Sequence, residues 1–254
     1  DWPAAEVDSF IARNYPSYWL NFNAEVHARH AKLMRGADKS GAPLTVETKV
    51  HTFRSVTEVT VYAPDHPGLF AGIAGALTVC GASIVDARIF TTKDGMVVDT
   101  FWIQGAGRGP FDQPHRLKKL ASMVEATLAK DFKPAREIER RAGEAMASRT
   151  DIFKVAPRVL IDNRASATHT VIEVNARDRA GMLFDAARKL GELNLSIGSA
   201  RINTYGETAV DVFYVKDVFG MKITDESRIA DIKATLLEAL VEGDREARGH
   251  VAAE

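Results

Sequence analysis

The chain repeats itself, and the repeat limits the folds open to it. Val59, Val61 and Ala63 return 113 positions later as Ile172, Val174 and Ala176. In both places polar or aromatic residues alternate with them, the period-2 pattern of a strand with one buried face. A turn follows, Asp65-His-Pro-Gly68 in the first copy and Asp178-Arg-Ala-Gly181 in the second. Then Leu69, Ile73, Leu77 and Cys80 match Met182, Ala186, Leu190 and Leu193, one stripe of an amphipathic helix in each copy. Cys80 falls on that stripe and reads as a small buried hydrophobe. Gly81 and Asn194 suit helix ends.

The correspondence continues through Ser83-Ile84 with Ser196-Ile197, and Ala87-Arg-Ile89 with Ala200-Arg-Ile202. Lys93-Asp-Gly95 and Tyr205-Gly-Glu207 read as hairpin turns. Asp99, Phe101 and Ile103 then match Asp211, Phe213 and Val215. A second helix carries Leu117, Leu120, Val124 and Leu128 in one copy, and Ile229, Ile232, Leu236 and Leu240 in the other. Each copy thus reads strand, helix, strand, strand, helix. A ferredoxin-like module needs a fourth strand. The spacing predicts that each copy takes it from its N-terminal flank, Leu44 to Phe53 for the first and Arg158 to Asp162 for the second. The expected fold is α+β, with two antiparallel sheets and helices on one face of each.

Of 254 residues, 46% are hydrophobic, enough for two small domains, and the formal net charge of −1 marks no surface for nucleic acid or an anionic membrane. One cysteine excludes an internal disulfide framework and a cysteine zinc site. No apolar run approaches the roughly 20 residues that span a bilayer, and no signal peptide is seen, so the expected address is cytoplasmic. The opening Asp1-Trp-Pro-Ala-Ala-Glu6 reads like the interior of a longer protein.

The turn admits two readings. Asp65 and Asp178 can cap a helix, Pro67 suits a first helical turn, and Gly68 and Gly181 permit unusual dihedrals. Helix initiation alone explains all of this. The same atoms also suit a ligand: a helix N-terminus favours a carboxylate, and the aspartate can receive an ammonium group. Together they fit an α-amino acid.

Asp65-His-Pro-Gly-Leu-Phe70 after a strand, followed by a helix and Gly81-Ala-Ser-Ile84, resembles the ACT domain family of metabolite-sensing modules. Ala180 departs from that pattern, where the first copy has Pro67. Asn14-Tyr-Pro-Ser-Tyr-Trp-Leu20 and Glu25-Val-His-Ala-Arg-His-Ala31 resemble the link after the HD-type domain of bifunctional uridylyltransferase/uridylyl-removing enzymes. The segments 91–101 and 193–202 are similar to the two ACT copies of that family.

The resemblance implies a helical linker over 1–40, ACT domains over 44–131 and 153–241, a helical linker over 132–151 and a tail over 242–254. It implies an amino-acid site drawn from Asp65, His66, Pro67, Gly68, Leu69, Phe70, Ser83 and Ile84, and from Asp178, Arg179, Ala180, Gly181, Met182, Leu183, Ser196 and Ile197. It implies a sensor of L-glutamine that inhibits UMP transfer to PII proteins and promotes UMP removal. The implied partners are PII, the enzyme's own nucleotidyltransferase and HD domains, and a second copy joined through the ACT sheets. Mg²⁺ belongs to those catalytic domains. No catalytic residue, resident cofactor or metal site is expected in these 254 residues.

Other features point elsewhere. His27 and His30 can share a helix face, but two ligands without a carboxylate or thiolate set do not make a zinc site; packing is the expectation. The mixed-sign run 130–141 reads as a solvated linking helix. Asp99 and Asp211 either line the cleft or are edge residues facing solvent, and the edge reading is the expectation. The alternative function is a tandem ACT scaffold that binds no ligand. An RNA-binding reading lacks a basic excess and the motif it needs. A phosphatase of the acylphosphatase type needs an Arg cradle in the first loop; the second copy has Arg179 there, but the first has His66.

Overall fold

The computed structural model describes residues 2–42, 44–105, 107, 109–144, 155–179, 181–205 and 208–249. Three helices come first: α1 (Ala4–Arg13), α2 (Pro16–Trp19) and α3 (Ala24–Ser40). The first repeat is β1 (Thr45–His51), β2 (Val56–Pro64), α4 (Leu69–Val79), β3 (Ser83–Arg88), β4 (Met96–Gln104) and α5 (Pro114–Leu128). After α6 (Pro134–Glu144), the second is β5 (Arg158–Asp162), β6 (Thr170–Arg177), α7 (Met182–Glu192), β7 (Leu195–Tyr205), β8 (Thr208–Asp217) and α8 (Glu226–Gly249).

Each repeat does take its fourth strand from its N-terminal flank. β1 pairs antiparallel with β2, and β5 with β6. β1 stops at His51, where the chain enters a short 3-10 turn over Thr52–Arg54. The two four-stranded sheets do not stay apart. They join edge to edge, giving one eight-stranded sheet in the order β1-β2-β4-β3-β7-β8-β6-β5. The join is antiparallel and pairs Ala87 with Ala200. These two residues are equivalent in the repeat, so a local twofold axis passes between them. Both are fully buried, and small side chains let the strands meet there. The symmetry reaches the irregularities: β3 shifts register between Ile84 and Asp86, and β7 between the equivalent Ile197 and Ser199.

Helices α4, α5, α7 and α8 cover one face, over a core that runs without interruption across both halves. Phe70 of the first half stacks on Phe101 and meets Phe213 of the second edge-on, 6.5 Å between centroids. At Gly75 of α4, an added Cβ would lie 2.8 Å from Phe184 of α7. Only glycine lets these helices approach so closely.

Two expectations need correction. The run 130–141 is not simply solvated: Ile138 of α6 is buried and joins the main core. An amphipathic stripe needs few apolar residues when one of them fills a gap between other helices. The segment after Val241 is not a frayed tail from its start: α8 continues to Gly249, and Asp244 is held to Arg177 at 2.7 Å. The N-terminal helices lie on the opposite face of the first half, where Tyr18 and Met34 pack on Tyr62, Phe90 and Val98. Alternate residues of β2 and β4 point to opposite faces, so these strands are buried on both sides.

Candidate functional site

Two cavities, of about 350 and 340 Å³, lie where the halves meet. Both fall in the size range of small-molecule sites. The first is lined by residues 65–71, from the first turn and the start of α4, and by Asn194, Ser196 and Ile197 of the other half. The second reverses the arrangement: Asp178, Arg179, Gly181, Met182 and Leu183 face Gly81, Ser83 and Ile84. The structure therefore brings together every sequence-predicted site residue it describes, but crosswise. Each turn meets the second strand of the opposite half rather than its own. Ala180 lies outside the described residues.

The turn glycines hold the backbone in the left-handed region, φ +84° at both Gly68 and Gly181. Each is the N-cap of its helix, and neither helix has a side-chain cap bond. Asp65 is therefore not the N-cap of α4; Gly68 is, and Pro67 stands before the first helical residue rather than within it. Asp65 accepts a hydrogen bond from the Thr91 hydroxyl at 3.1 Å instead. The Leu69 amide turns back to the His66 carbonyl. The amides of Phe70 and Ala71, in the first turn of α4, have no intrahelical acceptor and border the cavity. They suit an anionic group.

Behind each turn is a buried carboxyl. Asp99 and Asp211 are both 0% exposed and line the first and second cavity respectively. They are not edge residues, since β4 and β8 have a neighbour on each side, and they do not face solvent, since they share the helix-covered face with Phe101 and Phe213. Asp99 Oδ1 accepts from the Phe90 amide at 3.3 Å, while Oδ2 has no hydrogen-bond partner among the described residues. Burial holds the Asp99 carboxyl well above the usual range, and the charge of Asp65 adds to this. Asp211 is pushed up to about 8, by burial first and Asp178 second. The Asn203 backbone amide opposes that shift, yet among the described residues neither Asp211 oxygen has a partner with hydrogen-bond geometry.

The turns differ in what covers their glycines. Asp65, His66, Pro67 and Gly68 are all exposed, and a Cβ at Gly68 would meet nothing within 4 Å. Gly181 is buried, and its Cβ would lie 2.7 Å from Ile138 of α6. The Arg179 side chain lies against Gly243 of α8 and donates to Asp185 at 2.6 Å. Two helices thus cover the second turn, and none of them covers the first.

His30 is structural. Its Nδ1 meets the Tyr18 hydroxyl at 2.9 Å and its Nε2 the Thr100 hydroxyl at 3.2 Å, inside the contact between α3 and the sheet. His27 packs against Trp19, 4.9 Å between ring centroids. Among the described residues, no group of three His, Cys, Asp or Glu could hold a metal ion, and no helix is long and apolar enough to cross a membrane. Thr91, Gly191 and Asn194 are lining residues that the sequence reading missed. Asn194 carried a signal: it ends α7 with φ +58°, as Gly81 ends α4 with φ +73°, directly before the strand that enters the opposite cavity.

Comparison with known proteins agrees with this architecture. The ACR family N-terminal ACT domain matches residues 165–242. The bifunctional uridylyltransferase/uridylyl-removing enzyme of Azospirillum brasilense is 52% identical over 95% of this chain, which covers 26% of that protein. The enzyme of the same description from Gluconobacter oxydans is 49% identical over 94% of the chain and 25% of the relative. That from Rhodospirillum rubrum is 43% identical, over 95% and 26%. Among solved structures, an aspartate kinase from Synechocystis aligns with 74% of this chain and 27% of its own at 16% identity, and its TM-score of 0.37 is too low to bear on the fold. The chain, spanning about a quarter of the length of its curated relatives, belongs to the ACT-domain region of the bifunctional uridylyltransferase/uridylyl-removing enzyme family.

Proposed function

We propose that this region is an L-glutamine sensor that binds its ligand in the cavities between the two halves. The observation that carries this reading is the crosswise construction of those cavities. Free amides at a helix N-terminus, a glycine turn and a buried carboxyl from one half face Asn194 and Ser196, or Ser83, from the other. Amides and a carboxyl in one small cavity suit the two charges of an α-amino acid. The open first turn makes the first cavity the primary site. A ligand held by both halves favours one arrangement of them, and only such a difference can carry a signal.

In the parent enzyme, glutamine binding would suppress UMP transfer to PII proteins and promote UMP removal. The Mg²⁺-dependent nucleotidyltransferase and HD domains would carry out those reactions. The N-terminal helices are the route to them. Trp2, Ile11 and Trp19 line an apolar groove on the side of those helices away from the sheet, fit for a neighbouring domain. Pairing of two chains through their sheets would use β1 or β5, the outer edges. A cytoplasmic address follows from the nucleotide chemistry of the parent enzyme.

The test is titration calorimetry of the chain with L-glutamine, with D-glutamine and L-glutamate as controls. Selective binding near one molar equivalent is expected. No heat up to millimolar L-glutamine would sink the sensor reading for this chain and leave the tandem scaffold.

A further inference from the structure

Each half keeps one ionisable side chain that packing alone does not explain. Asp99 and Asp211 occupy inward positions on strands whose other inward residues are apolar, Val97, Phe101 and Ile103 in one and Ala209, Phe213 and Val215 in the other. Burying a carboxyl without full hydrogen bonding is costly, and a hydrophobic residue would pack there without that cost. Yet the repeat places the same carboxyl at the same point twice, each time on the wall of a cavity. Asp65 is the less suitable partner for a cation: it is exposed to water and already accepts from Thr91. Asp99 is shielded and has an unused oxygen.

We propose that Asp99, and Asp211 in the second cavity, is the buried acceptor for the ligand's cationic group, and that binding ionises this carboxyl and releases its proton to solvent. The inference rests on the amino-acid reading of the cavities. In the free protein, burial and the neighbouring Asp65 favour the protonated form of Asp99. When an ammonium group enters, the carboxylate pairs with it, the carboxyl proton leaves, and the ammonium keeps its own three. The charged or titratable groups around the first cavity are Asp65 and His66, both from the turn. The start of α4 contributes Leu69, Phe70 and Ala71, the segment after β3 contributes Ile89 and Thr91, and the opposite half contributes uncharged Asn194 and Ser196. Around the second cavity they are Asp178 and Arg179, the latter bound to Asp185. No cation from the lining competes for Asp99.

The experiment is calorimetry on the full chain with L-glutamine, in buffers of different ionisation enthalpy across neutral pH. Proton release of up to one per ligand is expected, with affinity rising as pH rises. Asp99→Asn should abolish the release and weaken binding about tenfold or more, the loss of a charge-assisted hydrogen bond. Glutaramate, which is glutamine without its amino group, should bind weakly and equally to both proteins. Wild-type binding without proton release, matched by Asp99→Asn, would overturn the inference and leave the glutamine reading standing. Absence of any glutamine heat would overturn that reading instead. The inference is then decided by the carbon-13 signal of the Asp99 carboxyl, titrated with and without methylammonium. A raised midpoint that methylammonium lowers supports it; an ordinary midpoint that does not respond overturns it.

Discussion

The two halves share a fold and differ in what covers them. On the outer face, the first half lies beneath α1–α3, and even Glu58 is buried there, bound to Arg29 and, at 3.1 Å, to His51. The outer residues of the second half, Glu173, Asn175, Tyr214 and Lys216, remain partly exposed. At the turns the order reverses: the first is bare and the second is covered by α6 and α8. A duplicated module has therefore been made unequal by α1–α3, by α6 and by the extension of α8 beyond its repeat counterpart α5. The lesson is that equal sequences at a site do not give equal sites; access is set by whatever packs outside the repeat.

The largest expected effect compares the outer faces. Tyr18 is 1% exposed at the centre of the cover, ringed by Phe10, Trp19, Phe22 and Phe90. Tyr18→Ala should cost about 3 kcal/mol or more, as for other large buried aromatics. Tyr214→Ala, on the uncovered face, should cost under about 1 kcal/mol. Urea unfolding of the two variants checks this, and equal losses would mean that the cover contributes nothing to stability. Next come the turns. Gly68→Ala carries only the strain of a left-handed residue, about 1 to 2 kcal/mol. Gly181→Ala adds a clash with Ile138 and should reach about 3 kcal/mol. If both variants lose the same amount, α6 does not hold the second turn.

Much of this was legible in the sequence, for a physical reason. Strand and helix periods are local, so the repeat, the stripe through Leu69 and Leu190, and the borrowed strands at 45–51 and 158–162 could be read directly. The turns and the strand starts beyond Gly81 and Asn194 were legible for the same reason. Which edge would meet which was not, because strand pairing is non-local. The matched pair Ala87 and Ala200 was visible as a repeat, but not as the twofold axis it marks. Asp99 and Asp211 were misread as edge residues because a strand's place in the sheet is set by non-local pairing. Ile138 was hidden among charges, and the aromatics at Tyr18, Trp19 and Phe22 announced a core without saying what it would cover.

The covered turn can be opened by one change. Ile138→Ala removes the side chain packed on Gly181 and should cost about 2 kcal/mol, the low end for a buried Ile truncation. It should also raise glutamine stoichiometry from near one toward two, because the second cavity then has an exposed turn like the first. Calorimetry of this variant beside the parent chain reads both affinity and number. A stoichiometry that stays near one would show that the difference lies within the cavities, where Arg179 stands in place of His66, and not in the cover.

The last comparison concerns acid. His30 lies only beneath the cover of the first half, and its pKa is pushed down to about 3, by burial first and then by Arg29 and His27. The folded chain therefore keeps it neutral while the unfolded chain takes up a proton below about pH 6.5. Stability must fall as pH drops from there toward 3, by at most about 1.4 kcal/mol per pH unit for one group. Asp99 and Asp211 act in the opposite direction. Their folded pKa values are raised, so their contribution is complete at low pH and is lost as pH rises, through about 8 for Asp211. The wild-type profile alone mixes these terms, and the difference from His30→Gln separates them. That variant should be less stable at neutral pH, where it loses the fitted contacts with Tyr18 and Thr100. The gap should then narrow as the solution is acidified, because only the wild type must keep an imidazole neutral. Tryptophan fluorescence in urea follows the change at the cover itself, through Trp2, Trp19 and Trp102. A gap that stays constant with pH would mean that His30 is charged in place, and that the cover of the first half is no more sensitive to acid than the open face of the second.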